Sequence, residues 1–265
     1  MPQLSIIIPL FNSCDFIARA LQSCINQTLR DIEILVIDDK SEDERVKIFQ
    51  NDENLGTFAT RNLGVLKSRA EFIMFLDSDD FLALNACEVA LTKIKQGFDL
   101  LCFDAFVHRV KTKQFYRFKQ DEAFNQKEFF EFLGKQRHFC WSVWAKLFRK
   151  DLILKSFERI NLYERLSYGE DVLFCYMNFL ECDKMGVFKE CIYHYEFNEK
   201  GRYENKNKEI LWQNYKDKKR SNELIKKLPL KSKNDEFCKR LLEVLEKEEG
   251  DLKTRITKIN ILDLA

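Results

Sequence analysis

Short apolar runs alternate with helical periods along the first hundred residues. SIIIPL (5–10) and IEILVI (32–37) read as buried strands, and between them residues 16–27 place Ile17, Leu21, Cys24 and Ile25 on one helical face. Residues 57–67 carry Ala59, Leu63 and Leu66 at helical spacing, FIMFL (72–76) is a further strand, and a helix over 85–96 leads into a strand over 99–106. This β-α-β alternation predicts an α/β fold with a Rossmann-like, mainly parallel central sheet and helices on both faces.

One interval is too short for that scheme. Only residues 39–45 separate the strand ending near Asp38 from the strand-like VKIF (46–49), whereas a parallel crossover takes about a dozen residues or more. Either the two runs are not parallel neighbours, or a helix belonging after Ser41-Glu-Asp43 is absent from the sequence. The second is the expectation, and an intact mass above 31.7 kDa would meet it.

The pattern changes after Phe106. Residues 115–118 suggest a strand, 126–133 a helix, 143–154 one helix or a pair, 168–180 a well-patterned helix and 187–197 a strand. From Asn205 the chain is polar, Lys-rich and helical, with a break at Pro229. No fixed-period repeat or Gly/Ser linker interrupts it, so residues 201–265 are expected to form a basic helical extension.

Composition narrows the class. At 45% hydrophobic, with 24 Phe but only 8 Gly and 3 Pro, the 265 residues suit a packed globule. The nine cysteines are odd in number and lack CxxC or Cys/His ligand spacing, which points to reduced core residues of a cytosolic protein. No stretch reaches the roughly 18 apolar residues of a membrane span. The net charge of +1 hides an acidic excess in residues 1–100 and a basic one in 201–265. Nucleic-acid binding is not expected, because the basic tail lacks a larger charge excess and interleaved aromatics. That tail is either a solvated helix face or a surface for anionic lipid headgroups.

In open α/β sheets ligands bind beyond the carboxyl ends of the strands. Three polar clusters fall there: Asn12, Asp38-Asp39 and Asp77-Ser78-Asp79-Asp80. Asp77 and Asp79 alternate along an extended backbone, so both carboxylates point to one side. Such oxygen ligands suit Mn²⁺ or Mg²⁺, which keep open positions for phosphate oxygens. The competing reading is an acidic helix cap before Phe81. A response-regulator receiver would use Asp38-Asp39 but is about half this length. An aspartyl-nucleophile hydrolase would need its DxD after the first strand, where Pro9 and Asn12 stand.

SIIIPLFN (5–12), EILVIDDKSED (33–43), NLGTFATRNLG (54–64) and FLDSDDFL (75–82), in that order, resemble the family 2 glycosyltransferases of GT-A fold. VWAKLFRKDLI (143–153), YGEDVLF (168–174) and IYHYE (192–196) look like the bacterial enzymes that build surface polysaccharide and lipopolysaccharide. The resemblance covers about residues 4–200. It implies a nucleotide-sugar-binding half over 1–106 and an acceptor-binding half over 107–200.

The resemblance also implies residue roles. Asp79 and Asp77 would hold the metal. Pro9, Phe11, Asn12, Asp38, Asp39, Arg61 and Ser78 would line the donor, with Lys146 near phosphate or sugar and His194 near metal or pyrophosphate. Family 2 enzymes invert, so a base is required on the acceptor side. Asp171 is the first choice and Glu170 the second; without the resemblance both would read as helix-dipole partners. His194 equally suits a structural role, Arg61 a surface salt bridge, and Trp141 and Trp144 a core role. Thr60 and Glu196 depart from the family, which commonly has Ala or Gly, and Arg, at those places.

The donor implied is a nucleotide-diphosphate sugar, UDP-linked by preference and GDP-linked as the second option. The acceptor implied is a glycan or lipid-linked glycan at the cytoplasmic face of the inner membrane. The alternatives are a non-catalytic nucleotide-sugar-binding module, against which the joint presence of DxD and ED argues, and a nucleotidyltransferase, which would want a Gly-rich phosphate loop.

Overall fold

The structure, a computed structural model, describes residues 1–40, 49–108, 112–115, 118–136, 141–197, 207–229 and 236–262. Its first half runs β1 (Leu4–Leu10), α1 (Cys14–Ile25), β2 (Ile32–Asp38), β3 (Phe49–Gln50), α2 (Gly56–Lys67), β4 (Phe72–Phe75), β5 (Phe81–Leu82), α3 (Ala86–Ile94) and β6 (Leu100–His108). There follow β7 (Thr112–Phe115), β8 (Glu122–Asn125), α4 (Gln126–Lys135), β9 (Lys146–Arg149), α5 (Lys150–Ser156), α6 (Glu170–Phe179) and β10 (Lys184–Glu196). Two long helices, α7 (Lys208–Lys227) and α8 (Glu236–Leu262), end the described chain.

The strands form one sheet in the order β3-β2-β1-β4-β9-β6-β10-β5, with β7 on β6 and β8 on β10. β1 pairs in parallel with β2 and β4, and β6 in parallel with β10; β9 lies antiparallel between β4 and β6. The main strands therefore share one direction, as the β-α-β alternation predicts. Side chains alternate between two cores: Ile6, Ile8 and Leu10 pack with Ile17 and Ala20 of α1, while Ile7, Leu35 and Ile37 pack with Phe58 and Val65 of α2.

One expectation needs correcting, and one alternative is removed. Residues 146–149 are a strand and not helix: Lys146, Leu147 and Phe148 pair with β6 on one side, and Phe148 and Leu147 with β4 on the other. Of the 143–154 stretch expected to be helical only 150–154 is, in a helix that runs on to Ser156. Phe49 and Gln50 pair in parallel with Ile37 and Asp38, which removes the alternative that the chain there is not a parallel neighbour of β2. Residues 41–48, where the absent-helix expectation falls, lie outside the described residues.

The tail forms helices on either side of Pro229, as predicted. It also joins the main core: Leu224, Ile225, Leu228, Phe237, Leu241 and Leu245 are buried in the cluster that holds α4 and α6. Among the described residues no helix is long and apolar enough to cross a membrane.

Candidate active site

The carboxyl ends of β1, β2 and β4 open into one cleft of about 1700 Å³. That exceeds the roughly 300–1,000 Å³ of common small-molecule pockets. At its floor Asp39 N donates to Leu10 O at 2.7 Å and Leu76 N to Ile7 O at 3.0 Å, so the loops after the three strands leave the sheet side by side. Asn12 takes a left-handed φ of 49° as the chain turns out of β1.

Asp39 ties the β2 end to helix α2. Its Oδ1 accepts from Leu55 N at 2.7 Å and Asn51 Nδ2 at 3.0 Å, and its Oδ2 accepts from Gly56 N at 2.9 Å. The carboxylate thus satisfies amides that the first turn of α2 leaves open. Gly56 has φ +80° and lies against the 166 carbonyl, 2.7 Å from where a Cβ would stand. Only glycine fits that backbone without strain.

This start to α2 delivers Arg61 to the centre of the cleft. Its Nη2 donates to Asp77 Oδ1 at 2.8 Å, and its Nη1 donates to Asp171 Oδ1 at 2.6 Å and Glu170 Oε1 at 3.2 Å. Arg61 is only 3% exposed. Burial opposes its charge, but Asp171, Asp77 and Glu170 outweigh that and hold the guanidinium firmly protonated. One buried cation therefore joins the DxD turn to the first residues of α6.

The carboxylates around it differ. Glu170 is driven up to about 8 by burial and then by the Asp171 charge, with Arg61 pulling the other way. Asp171 is also raised, by burial first, and here Arg61 and Lys146 oppose the shift. The Asp171 side chain is 30% exposed against 10% for Glu170, so Asp171 is the more open to the cleft.

Asp80 faces inward. Its Oδ2 accepts from the Tyr193 hydroxyl at 2.6 Å and its Oδ1 from Glu196 N at 2.8 Å, while that hydroxyl accepts from Asp77 N at 3.2 Å. Burial, then the charge of Asp77, pushes Asp80 up to about 9. Asp80 is thus a buried brace between the DxD turn and β10. Arg19 of α1 braces the turn from outside: it donates to Asp79 O at 2.6 Å and pairs with Glu196 at 3.2 Å. Glu196, the departure noted above, is the partner of this arginine.

Of the residues singled out from sequence, Pro9, Phe11, Asn12, Asp39, Arg61, Asp77, Ser78, Asp79, Glu170 and Asp171 all line the cleft. Asp38, Lys146 and His194 do not. Asp38 is wholly buried at the end of β2, where Gln50 Nε2 donates to it at 3.1 Å. Lys146 is wholly buried on β9 and donates to Ser142 O. His194 stacks on Phe81 at 4.3 Å and on Phe106 at 4.8 Å, and its Nδ1 lies 2.9 Å from His108 Nε2.

Trp144 stacks on Tyr193 at 4.8 Å, and both Trp141 and Trp144 border the cleft. Sequence reasoning missed one wall: Gln213, Asp217 and Lys218 of α7 and Glu248, Asp251 and Arg255 of α8. Polar residues on Lys-rich helices carry no signal that they face a site.

Residues 5–154 match the family model Glycosyl transferase family 2. The chain belongs to glycosyl transferase family 2. The matched segment holds the DxD turn and Arg61 and ends before Glu170, α6 and the C-terminal helices.

Similar to this family 2 chain is the cholesterol galactosyltransferase of Borreliella burgdorferi, 27% identical over 72% of this chain and 59% of that protein. The putative glycosyltransferase EpsH of Bacillus subtilis is 31% identical over 74% of this chain and 61% of that one. The chain thus spans about six-tenths of the length of these curated relatives. Among solved structures, S. aureus TarS 1–349 in complex with UDP-GlcNAc superposes with a TM-score of 0.63 at 20% identity, covering 84% of this chain and 70% of that one. That likeness is one of fold.

Proposed function

We propose that the protein is a metal-dependent, inverting glycosyltransferase that moves a sugar from a nucleotide diphosphate to a hydroxyl of a glycan or lipid-linked glycan. The observation that carries this reading is the Arg61 clasp, which holds Asp77 of the DxD turn and the Glu170-Asp171 pair around one cleft. Family membership supports the chemistry, and the UDP-sugar bound by TarS supports a UDP-linked donor before a GDP-linked one.

The cleft fits a divalent cation. Asp77 and Asp79 both face it, and after burial their two charges add to the upward shift of Asp80, which supports a cation between them. Asp77 and Asp79 would hold Mn²⁺ or Mg²⁺, which when bound supplies positive charge against the departing diphosphate. Pro9, Phe11, Asn12, Asp39 and Ser78 line the nucleotide side. The buried Asp38 and Lys146 act from behind the wall, Lys146 through its charge on Asp171.

Asp171 serves as the base. It accepts the proton of the acceptor hydroxyl as that oxygen bonds to the anomeric carbon, and the bond from that carbon to the diphosphate oxygen breaks on the opposite face. The nucleoside diphosphate leaves with the electron pair, and the configuration inverts. Glu170, with a side chain 10% exposed against 30% for Asp171, is the more enclosed of the two and stands behind the base.

The 1–106 half is the donor side, the 107–200 half the acceptor side, and the basic tail approaches anionic lipid at the cytoplasmic face of a membrane. Calorimetric titration with UDP-, GDP- and dTDP-sugars, with and without Mn²⁺, tests the donor and metal assignments together. Mn²⁺-dependent binding of one donor class that disappears in Asp79→Ala is expected. Binding that survives Asp79→Ala unchanged would overturn the metal assignment.

A further inference from the structure

The stretch 164–169 runs directly into Glu170 and Asp171, and α7 grips it at successive points. Ser167 N donates to Asp217 Oδ2 at 2.9 Å, and Gly169 O accepts from Ser221 Oγ at 2.7 Å. Asp217 and Ser221 are four residues apart, on one face of α7, and are 4% and 0% exposed. Arg220 adds a two-pronged pair, its Nε and Nη2 donating to Glu164.

The opposite side of the stretch is held by α2, where Phe58 N donates to Leu166 O at 3.0 Å. Gly169 has φ +76° and lies so close to α7 that a Cβ there would stand 2.7 Å from Lys218 Cδ. The Lys218 side chain is 1% exposed and pairs with Glu248 of α8 across the rim of the cleft. The turn that aims the ED pair is thus clamped between a helix inside the matched family segment and one outside it.

We propose that Asp217 and Ser221 are positioning residues for the proton-accepting carboxylate: through Ser167 and Gly169 they fix where α6 begins and so where Asp171 stands relative to Arg61. The inference rests on the reading of Asp171 as the base. It makes the C-terminal helices part of the catalytic apparatus although neither residue touches the reacting atoms. Small displacements of a reacting group lower the rate of the chemical step far more than they weaken binding, by on the order of a hundredfold for 1 Å.

The test is metal-dependent release of UDP, with water as the acceptor, from whichever of UDP-glucose, UDP-galactose or UDP-N-acetylglucosamine the wild type turns over fastest. Asp217→Ala and Ser221→Ala should lower kcat by about tenfold or more and leave the donor KM within about twofold. Asp217→Asn and Ser221→Thr retain an acceptor and a hydroxyl, and should recover most of kcat. Leu224→Ala, a core truncation on the same helix, should lower the unfolding midpoint but not kcat at temperatures well below it.

Wild-type kcat in Asp217→Ala and Ser221→Ala, with Asp171→Asn inactive, would overturn the clamp alone. So would a kcat loss in Leu224→Ala equal to theirs. Full turnover in Asp171→Asn would instead overturn the base assignment beneath it, and no release by the wild type from any of the three donors would contradict the UDP-sugar transferase reading.

Discussion

Arg61 and Asp171, 110 residues apart in sequence, meet at 2.6 Å, and the same guanidinium reaches Asp77 at 2.8 Å. The contact ties the carboxyl end of β4 to the first turn of α6 through a side chain that α2 contributes. It puts the group that would answer the leaving diphosphate and the group that would deprotonate the acceptor under one positive charge.

Removing that charge should cost stability as well as activity. Arg61→Met leaves Asp77, Glu170 and Asp171 without the buried cation that pairs with them, and breaking a buried pair costs about 3–5 kcal/mol. Denaturant unfolding of the variant should show a loss of that order. Arg61→Lys keeps the charge but not the two-pronged guanidinium, so it should regain part of the stability while turnover stays depressed. Equal stability of Arg61→Met and wild type would contradict the clasp.

Glu170 predicts a pH dependence. Its folded-state pKa, driven to about 8 from an ordinary 4.5, means that the native state binds more protons than the unfolded chain between those values. The stability it contributes is complete below about 4.5 and is lost as pH rises through about 8. Unfolding in EDTA should therefore show a falling midpoint between about pH 5 and 8.5, and Glu170→Gln should make that slope shallower, leaving the part that Asp80, raised to about 9, contributes with the same sign. An unchanged slope would mean that Glu170 is ionised throughout.

Gly56→Ala should be strongly destabilising. The left-handed φ costs an L-residue about 1–2 kcal/mol, and the new methyl meets the 166 carbonyl, which is backbone and cannot swing aside. Because Asp39 and the start of α2 are tied at the same point, the thermal midpoint should fall and nucleotide affinity with it. A substitution at Gly97, also left-handed but with a Cβ 4.0 Å from its nearest neighbour, should cost less.

The strand ends and their acidic clusters are legible in the sequence because buried parallel strands read as continuous apolar runs, and ligands gather where such runs stop. SIIIPL, ILVI and FIMFL therefore locate β1, β2 and β4, and with them Asn12, Asp39 and Asp77. Lys146–Arg149 is not legible as strand: four residues are too few to separate strand from helix by period, and a buried lysine argues against either. Nor is the Arg61 clasp, since the TRN motif marks the residue but only the tertiary fold brings it to the ED pair.

His194 illustrates the converse. Its place between two tyrosines on a strand near the site fits a ligand as well as a core residue. Alternation along β10 sends Tyr193 toward Asp80 and Asp77 and turns His194 to the other face, against Phe81 and Phe106. Which face is wet depends on sheet order, which the sequence does not carry.

The most direct test of the account is turnover in Asp171→Asn and Glu170→Gln alongside donor affinity in the presence of Mn²⁺. Loss of a general base typically costs about 10²–10⁴-fold. Asp171→Asn should lose turnover on that scale while binding the nucleotide sugar as the wild type does, and Glu170→Gln should retain more. Wild-type turnover in Asp171→Asn, with Glu170→Gln inactive, would contradict the assignment of the base.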